Sequence, residues 1–369
     1  MKPNSARTIY HLSTARSWRG GEQQIYNLVT QQKAMGLQPI VWAPKESPLL
    51  ERLQLEDFSV VAFSHKVSIN LPLAFKLRQF IKRNKPAILH LHDSHAHTNG
   101  LLATLRLAKA PPLVLHRRVP FSVGKNRLSN WKYNHSNIKR IIGISQNVID
   151  AMQVCLRRTD HIRKIYSGIN PSALQVGQRG TFRRKIGVNS DDILIAHVGA
   201  LAPEKDFKTF LETADLINQK INCPERIHFL LVGQGPEKLS LQKEADRLGL
   251  KNVIFTGFVE KMSAVYADLD LLLFCPKKEG LGTTVIEAMM AGLPIVATKA
   301  GGIPELIRHE REGWLANIGD AAALARYSIQ LLQNDPLRAQ TIKNAKARSK
   351  FFTDKAMADK ILEVYQEIW

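Results

Sequence analysis

The sequence predicts an α/β protein of two doubly wound domains in tandem, and three observations carry that prediction. Short β-rich runs alternate with helical patterns twice over along the 369 residues. A stretch rich in turn formers separates the two series. A chain of this length can also bury two cores, domains usually running to ~100–200 residues.

The first series holds TIYHL (8–12), PIVWA (39–43), VVAF (60–63), AILHL (87–91), PLVLH (112–116) and IIGIS (141–145). Between the first two, a helix starting at Glu22 places Ile25, Leu28, Val29 and Ala34 near one face and stops at Gly36. A second helix, 71–83, is expected to bury Leu73, Leu77, Phe80 and Ile81. Strands alternating with helices imply parallel βαβ units covered on both faces. The stretch GINPSALQVGQRGTFRRKIGVNSDD (168–192) has little periodicity and is expected to be a linker. The second series follows with ILIAHVG (193–199), HFLLVG (228–233), NVIFTG (252–257), LDLLLFC (269–275) and PIVAT (294–298), and a helical tail from residue 320. The expected division is therefore 1–172, a linker at 173–189, and 190–351. Ligands of such sheets bind outside the carboxyl ends of the strands, here in the cleft between two facing sheets.

Composition narrows the class. No apolar run approaches the ~18 residues of a membrane span, and the N-terminus has no signal-like segment. Cys155, Cys223 and Cys275 are scattered, with no Cys-x-x-Cys pair, as expected of free thiols in a cytoplasmic protein. The charge is lopsided. Residues 1–172 hold 26 Lys+Arg and 8 Asp+Glu, a net of +18; the rest hold 52 − 26 = 26 basic and 32 − 8 = 24 acidic residues, a net of +2. The first half is expected to face something anionic: nucleic acid, a membrane surface or a phosphorylated substrate.

The chemistry concentrates in KKEGLGTTVIEAMMAGLPIVAT (277–298). A strand ends at Cys275, a glycine turn follows, and Thr283 or Thr284 can cap a helix that Gly292 ends and Pro294 stops. Unpaired N–H groups and the dipole at that helix start suit a phosphate. Glu287, a turn inside the helix, can accept from a vicinal diol such as a ribose, and Glu279 lies beyond the phosphates, near whatever they carry. By themselves, two such carboxylates also fit an ordinary solvated surface.

The setting E-G-x-G-x-x-x-x-E-A-M-x-A-G-x-P-I-V-A-T resembles the nucleotide-sugar signature of the family 4 retaining glycosyltransferases of the GT-B fold. RGGEQQ (19–24), LVGQGPE (231–237), VIFTGF (253–258) and AGGIPELI (300–307) resemble further elements of that family in order and spacing. The resemblance implies two Rossmann-like domains facing across a cleft, with a last helix (352–369) crossing back to the first. It implies a metal-independent, cofactor-free transfer from a nucleotide-diphosphate sugar to a hydroxyl of a glycan or lipid-linked anionic acceptor. In it Glu287 binds the ribose, and Glu279 the transferred sugar. The backbone of Gly280, Leu281, Gly282 and Thr283 lies near the phosphates, and Gly20 and Gly21 admit the diphosphate. Lys205 neutralises the leaving group, and His116 reaches the sugar. The chain departs from the family pattern at Ala200, where an arginine is common, and at Asp206, where a glycine is. The implied attack is front-face, the leaving phosphate taking the acceptor proton.

ILHLHDSHAHTNG (88–100) places His90 and His92 on one side of a strand, with His95 and His97 in the following loop. Four histidines and an aspartate suggest a metal, but consecutive strand and loop positions are not its usual spacing, and the family needs none. His97 is instead expected near the acceptor, with Arg117 and Arg118 binding its anionic group bidentately. LAFKLRQFIKRNK (73–85) and HRRVPFSVGKNRLSNWKYNHSNIKR (116–140) mix basic and apolar residues, and the second is the better candidate for an anionic inner-membrane surface. For 73–85 a core helix with a solvated basic face is the simpler expectation. Two rival classes stay open: a non-catalytic nucleotide-sugar binder, left open by Ala200, and a nucleic-acid binder, disfavoured because no nucleic-acid module is present. An epimerase would not explain the basic half, and a phosphorylase needs a pyridoxal lysine and a longer chain.

Overall fold

The computed structural model describes residues 7–64, 67–120, 127–174 and 179–369. The chain divides into two units. One comprises residues 1–168 together with Asp354–Trp369, the other Ile169–Thr353.

In the first unit the strands are β1 (Thr8–Leu12), β2 (Gln38–Pro44), β3 (Val60–Phe63), β4 (Ile88–Leu91), β5 (Leu113–Arg117), β6 (Ile138–Gly143) and β7 (Ile162–Lys164). They form one parallel sheet in the order β3-β2-β1-β4-β5-β6-β7. The connecting helices are α1 (Gly20–Ala34), α2 (Pro48–Leu55), α3 (Leu71–Asn84), α4 (Ser94–Thr104), α5 (Arg127–Tyr133) and α6 (Gln146–Gln153). Each start has a local reason. Ser47, Asn70, Asp93 and Ser145 accept from amides of the first turns of α2, α3, α4 and α6. Along α3, Leu73, Leu77 and Ile81 are buried; Phe80 is half-buried and packs edge-on to Trp42 with centroids 5.0 Å apart.

The second unit begins with α7 (Thr181–Ile186), inside the stretch expected to be a linker; residues 175–178 of that stretch lie outside the described residues. The reason is a partner far off in sequence. The Asp268 carboxylate accepts from the amides of Gly180, Phe182 (2.7 Å) and Arg183 (2.9 Å), capping the short helix. Arg183, 1 % exposed, donates to the carbonyls of Asn189, Asp192 and Asp268 and to Asp270 Oδ2 at 2.6 Å. Six residues are too few for periodicity to reveal such a helix.

The sheet that follows contains β8 (Ile193–Val198), β9 (Ile227–Val232), β10 (Val253–Gly257), β11 (Leu271–Phe274), β12 (Ile295–Thr298) and β13 (Trp314–Ala316), in the parallel order β10-β9-β8-β11-β12-β13. Its helices are α8 (Phe207–Asn218), α9 (Lys238–Arg247), α10 (Met262–Asp268), α11 (Thr283–Ala291), α12 (Ile303–Leu306), α13 (Ala321–Gln333) and α14 (Asp335–Ser349). β7 and β13, three residues each, have no alternation readable in sequence. Ile195, Phe210, Phe229, Leu273 and Leu324 are among the fully buried residues of its core.

The last helix, α15 (Asp354–Gln366), belongs to the first unit. Its Met357, Ile361, Val364 and Tyr365 pack with Ile9, Leu28, Ile88, Val114 and Ile142. No helix among the described residues is long and apolar enough to cross a membrane.

Removing a buried charge that holds other charges is costly, so Arg183→Ala should lower the stability of the second unit by about 3 kcal/mol. Denaturant unfolding measures this, and a loss within ordinary surface-substitution scatter would show that the network contributes little.

Candidate active site

In both sheets the strand order reverses at the first strand, between β1 and β4 and between β8 and β11. Loops leaving such a pair diverge and open a crevice at the carboxyl ends. The predicted residues of the second unit lie on the loop that follows β8 and on the loop and helix α11 that follow β11.

The loop after β8 runs from Gly199 to Asp206. Gly233, at φ 146°, has its Cα against the Gly199 carbonyl, where a side chain would collide. The stem of Lys205 lies over Gly199, and Lys205 Nζ meets Glu279 Oε2 at 2.5 Å. His197, stacked on Phe207 at 4.1 Å, contacts the Lys205 carbonyl through Nε2 at 2.8 Å. Burial pushes His197 down to about 3, so it stays neutral and supports the loop. Asp206, where the family favours glycine, adopts φ +50°, the left-handed backbone a glycine would supply. Its carboxylate accepts from Thr209 Oγ1 at 2.7 Å at the start of α8 and pairs with Lys277 at 2.9 Å. The departure from the family pattern thus keeps the loop's turn and adds a cap.

The loop after β11 presents Glu279 to Lys205, and Glu279 Oε1 also accepts from the Gly280 amide at 3.1 Å. Leu281 is buried beneath the turn. Neither threonine caps α11. Gly282, at φ +99°, occupies the cap position and no side chain makes a capping hydrogen bond there, while Gly292 at φ +79° closes the far end. The opening turn of α11 therefore starts beside the Lys205–Glu279 pair with its dipole uncapped by side chains. One turn further on, Glu287 Oε2 accepts from Tyr266 Oη at 2.6 Å. Burial pushes the Glu287 carboxyl up to about 7, with the Tyr266 hydrogen bond opposing. Nothing in the sequence marks Tyr266, which lies on α10 and reaches Glu287 only through packing.

In the first unit the reversal point holds histidines. His11 on β1 is in register with His90 on β4, and His92 and His116 follow at the strand ends. His90 stacks on His92 and on His116, with centroids 4.3 and 5.3 Å apart. Ring nitrogens of His11, His90 and His92 all lie within 4.8 Å of one another. A cation there would need an unprotonated nitrogen from each ring, whereas Arg118 donates to His92 Nδ1 at 3.1 Å, which leaves the proton of a neutral His92 on Nε2 and sets a guanidinium charge beside the site.

Gly20 and Gly21 open α1. Neither has a positive φ, and a Cβ would meet nothing at Gly20 and only Arg118 Cδ, at 4.0 Å, at Gly21. Their own fold therefore makes no demand for glycine.

Of the residues expected at the acceptor, His97 and Arg117 are enclosed. His95 and His97 are helical, because Asp93 accepts from the amides of His95 (3.0 Å) and Ala96 (2.8 Å) and starts α4 there. His97 is enclosed, its Nε2 3.2 Å from the Lys132 carbonyl and its ring edge-on to Tyr133. Arg117 is 7 % exposed and lies over the Tyr133 ring. Arg118 points inward and donates to His92 O, His92 Nδ1 and His116 Nδ1. Neither arginine presents an exposed fork, and the His97 ring is enclosed. The 116–140 segment holds α5 rather than being loop throughout, and its residues 121–126, Phe121 included, lie outside the described residues.

Residues 178–348 match the family model of glycosyl transferases group 1, and residues 18–173 that of glycosyltransferase family 4. The chain belongs to the group 1 glycosyltransferases, with the GT-B fold. N-acetyl-alpha-D-glucosaminyl L-malate synthase of Bacillus anthracis is 24 % identical over 326 residues, 83 % of either chain. A GalNAc-GalNAc-diNAcBac-PP-undecaprenol alpha-1,4-N-acetyl-D-galactosaminyltransferase of Campylobacter jejuni is 25 % identical over 326 residues, 85 % of this chain and 84 % of its own. Among solved structures, Anabaena HepE in complex with UDP superposes with a TM-score of 0.85 at 22 % identity, covering 98 % of this chain and all of its own. At that identity the likeness shows the fold.

The pKa of Glu287 makes a prediction about the ligand-free protein. A carboxyl raised from 4.5 to about 7 by folding contributes most below its unfolded value, and the contribution is lost as pH rises through 7. Glu287→Gln, which keeps the shape without the charge, should therefore gain on wild type by about 1–3 kcal/mol between pH 5 and pH 8. Paired unfolding curves across that range measure the gain, and a difference independent of pH would contradict the assignment.

Proposed function

We propose that this enzyme moves a sugar from a nucleotide-diphosphate donor to a hydroxyl of a glycan or lipid-linked acceptor, with retention and without a metal. The observation that carries the reading is the Lys205–Glu279 pair beside the uncapped start of α11, with the buried Glu287–Tyr266 pair one turn along. These three features match a sugar, a diphosphate and a ribose in their order along the donor.

In this reading Glu287, ionised, accepts from the ribose hydroxyls. The backbone of Gly280, Leu281, Gly282 and Thr283 and the α11 dipole meet the phosphates, and Glu279 binds the transferred sugar. Lys205 leaves its pairing with Glu279 to neutralise the departing diphosphate. Preorganised charge of this kind is the main source of rate when no nucleophile takes part. Gly20 and Gly21 fit a close backbone approach by the diphosphate, since their own fold leaves that space unfilled. His116 contacts the sugar. The acceptor proton passes to the leaving phosphate, so no separate base is needed.

A lipid-linked acceptor agrees with the undecaprenol-linked substrate named for the Campylobacter relative and with the net of +18 on residues 1–172. Val119, Leu128 and Trp131 are exposed near that basic segment, 42, 57 and 43 % accessible, and fit docking at an anionic inner-membrane surface. Bacterial surface polysaccharide or lipopolysaccharide assembly is the context this acceptor class suggests.

Thermal unfolding with UDP, GDP, ADP and CDP in turn tests the donor site. One of them at 100 times its Kd should contribute about 2.7 kcal/mol and raise the midpoint by several degrees, and Glu287→Ala should abolish the rise. No shift with any nucleotide would overturn the donor site. With the donor known, Lys205→Ala should lower kcat by on the order of 10²-fold. An inverted anomeric centre in the product, read by NMR, would defeat the retaining mechanism.

A further inference from the structure

Four buried histidines of the first unit, His11, His90, His92 and His116, are joined through Arg118, Gln32 and Tyr365 into a branched, directed chain of hydrogen bonds. A guanidinium has only donors, so it fixes the direction of every bond downstream. Arg118 Nη2 lies 3.1 Å from His92 Nδ1 and 3.2 Å from His116 Nδ1, one hydrogen for each. Both Nδ1 atoms must then be acceptors, and each neutral ring carries its proton on Nε2. Burial and the Arg118 charge both hold these rings well below the usual histidine range, and neutral.

The consequences run on without contradiction. His92 Nε2–H donates to His11 Nδ1 at 2.9 Å, which places the His11 proton on Nε2. That proton faces Gln32 Oε1 at 2.8 Å. Gln32 Nε2 in turn donates to Tyr365 Oη at 3.3 Å, and Tyr365 donates to His90 Nδ1 at 2.6 Å. Gln32 on α1 and Tyr365 on α15 thus complete an order that begins at Arg118. His116 is the branch that leads outward. Its Nε2 has no hydrogen-bond partner among the described residues, yet is not among the fully enclosed unpaired atoms.

We propose that Arg118 is a positioning residue that locks His116 as the Nε2–H tautomer, so that His116 offers a hydrogen-bond donor, and never a base, to an oxygen of the nucleotide sugar. This rests on the reading of His116 as a sugar contact. It assigns Arg118 a role different from anion binding at the acceptor, because its fork is committed to ring nitrogens and the His92 carbonyl. Arg118→Lys would keep a donor, while Arg118→Met removes all of them and frees both rings to change tautomer.

The test is long-range proton–nitrogen NMR on protein labelled with 15N-histidine, with His92→Gln and His116→Gln used to assign the two rings. Wild type should show both rings neutral with hydrogen on Nε2. Arg118→Met should give His116 mixed or exchanging tautomers, and Arg118→Lys should largely restore the wild-type pattern. A wild-type His116 that is Nδ1-protonated, or charged at neutral pH, overturns the proposal even if Arg118→Met does not fold. So does a pattern unchanged in Arg118→Met. Turnover of UDP-glucose is the second arm. Arg118→Met should lower kcat by on the order of tenfold with little change in KM. In a His116→Gln background, whose amide donates regardless of tautomer, the same substitution should cost little. An equal cost in both backgrounds overturns the proposal. Absence of wild-type turnover would count against the functional reading or that donor, while the NMR arm still decides the tautomer.

Discussion

The constraint on which the rest depends is the reversal of order in an all-parallel sheet. Parallel strands need a covering crossover between neighbours, and crossovers are right-handed. A chain that builds outward from its first strand in one direction and then returns to build in the other must send the two central loops apart. The gap between them leaves side chains and backbone amides at the sheet's end open to a ligand. Both units make this reversal, at β1/β4 and at β8/β11. In both, polar and ionisable side chains gather there: histidines in one, Lys205 and Glu279 in the other.

Placing polar groups at the top of an apolar sheet has an electrostatic cost, and the protein meets it in three ways. Lys205 and Glu279 neutralise one another directly. Glu287 gives up part of its acidity, rising to about 7 with one hydroxyl as partner. Arg118 keeps its charge although burial lowers it to about 10; no carboxylate is bonded to it, but Glu22 and Asp93 lie near enough to favour the charged form. Burial first, and the Arg118 charge with it, keeps the histidines around it neutral. A ligand that brings its own hydroxyls or phosphates would relieve the first two of these arrangements, so stability and binding are set against each other at the same residues.

Sequence by itself determined the fold class, most of the strands and the composition of the donor loop. Buried parallel strands are continuous apolar runs, and glycines flanking a helix start are punctuation that needs no partner to be read. The turn and helix start from Glu279 to Glu287 were legible for that reason, as a local pattern nine residues long. Tertiary structure alone decided what distant residues do to one another. α7 exists because Asp268 caps it across more than eighty residues. His97 and Arg117 look like exposed binding groups in a loop, yet Asp93 winds one into a helix and the Tyr133 ring covers the other. Arg118 looks the same and instead orders a chain of histidine and tyrosine rings linked through the amide of Gln32 on α1. Such roles come from donors and acceptors meeting at about 3 Å, and a linear pattern records which groups are available but not which of them meet.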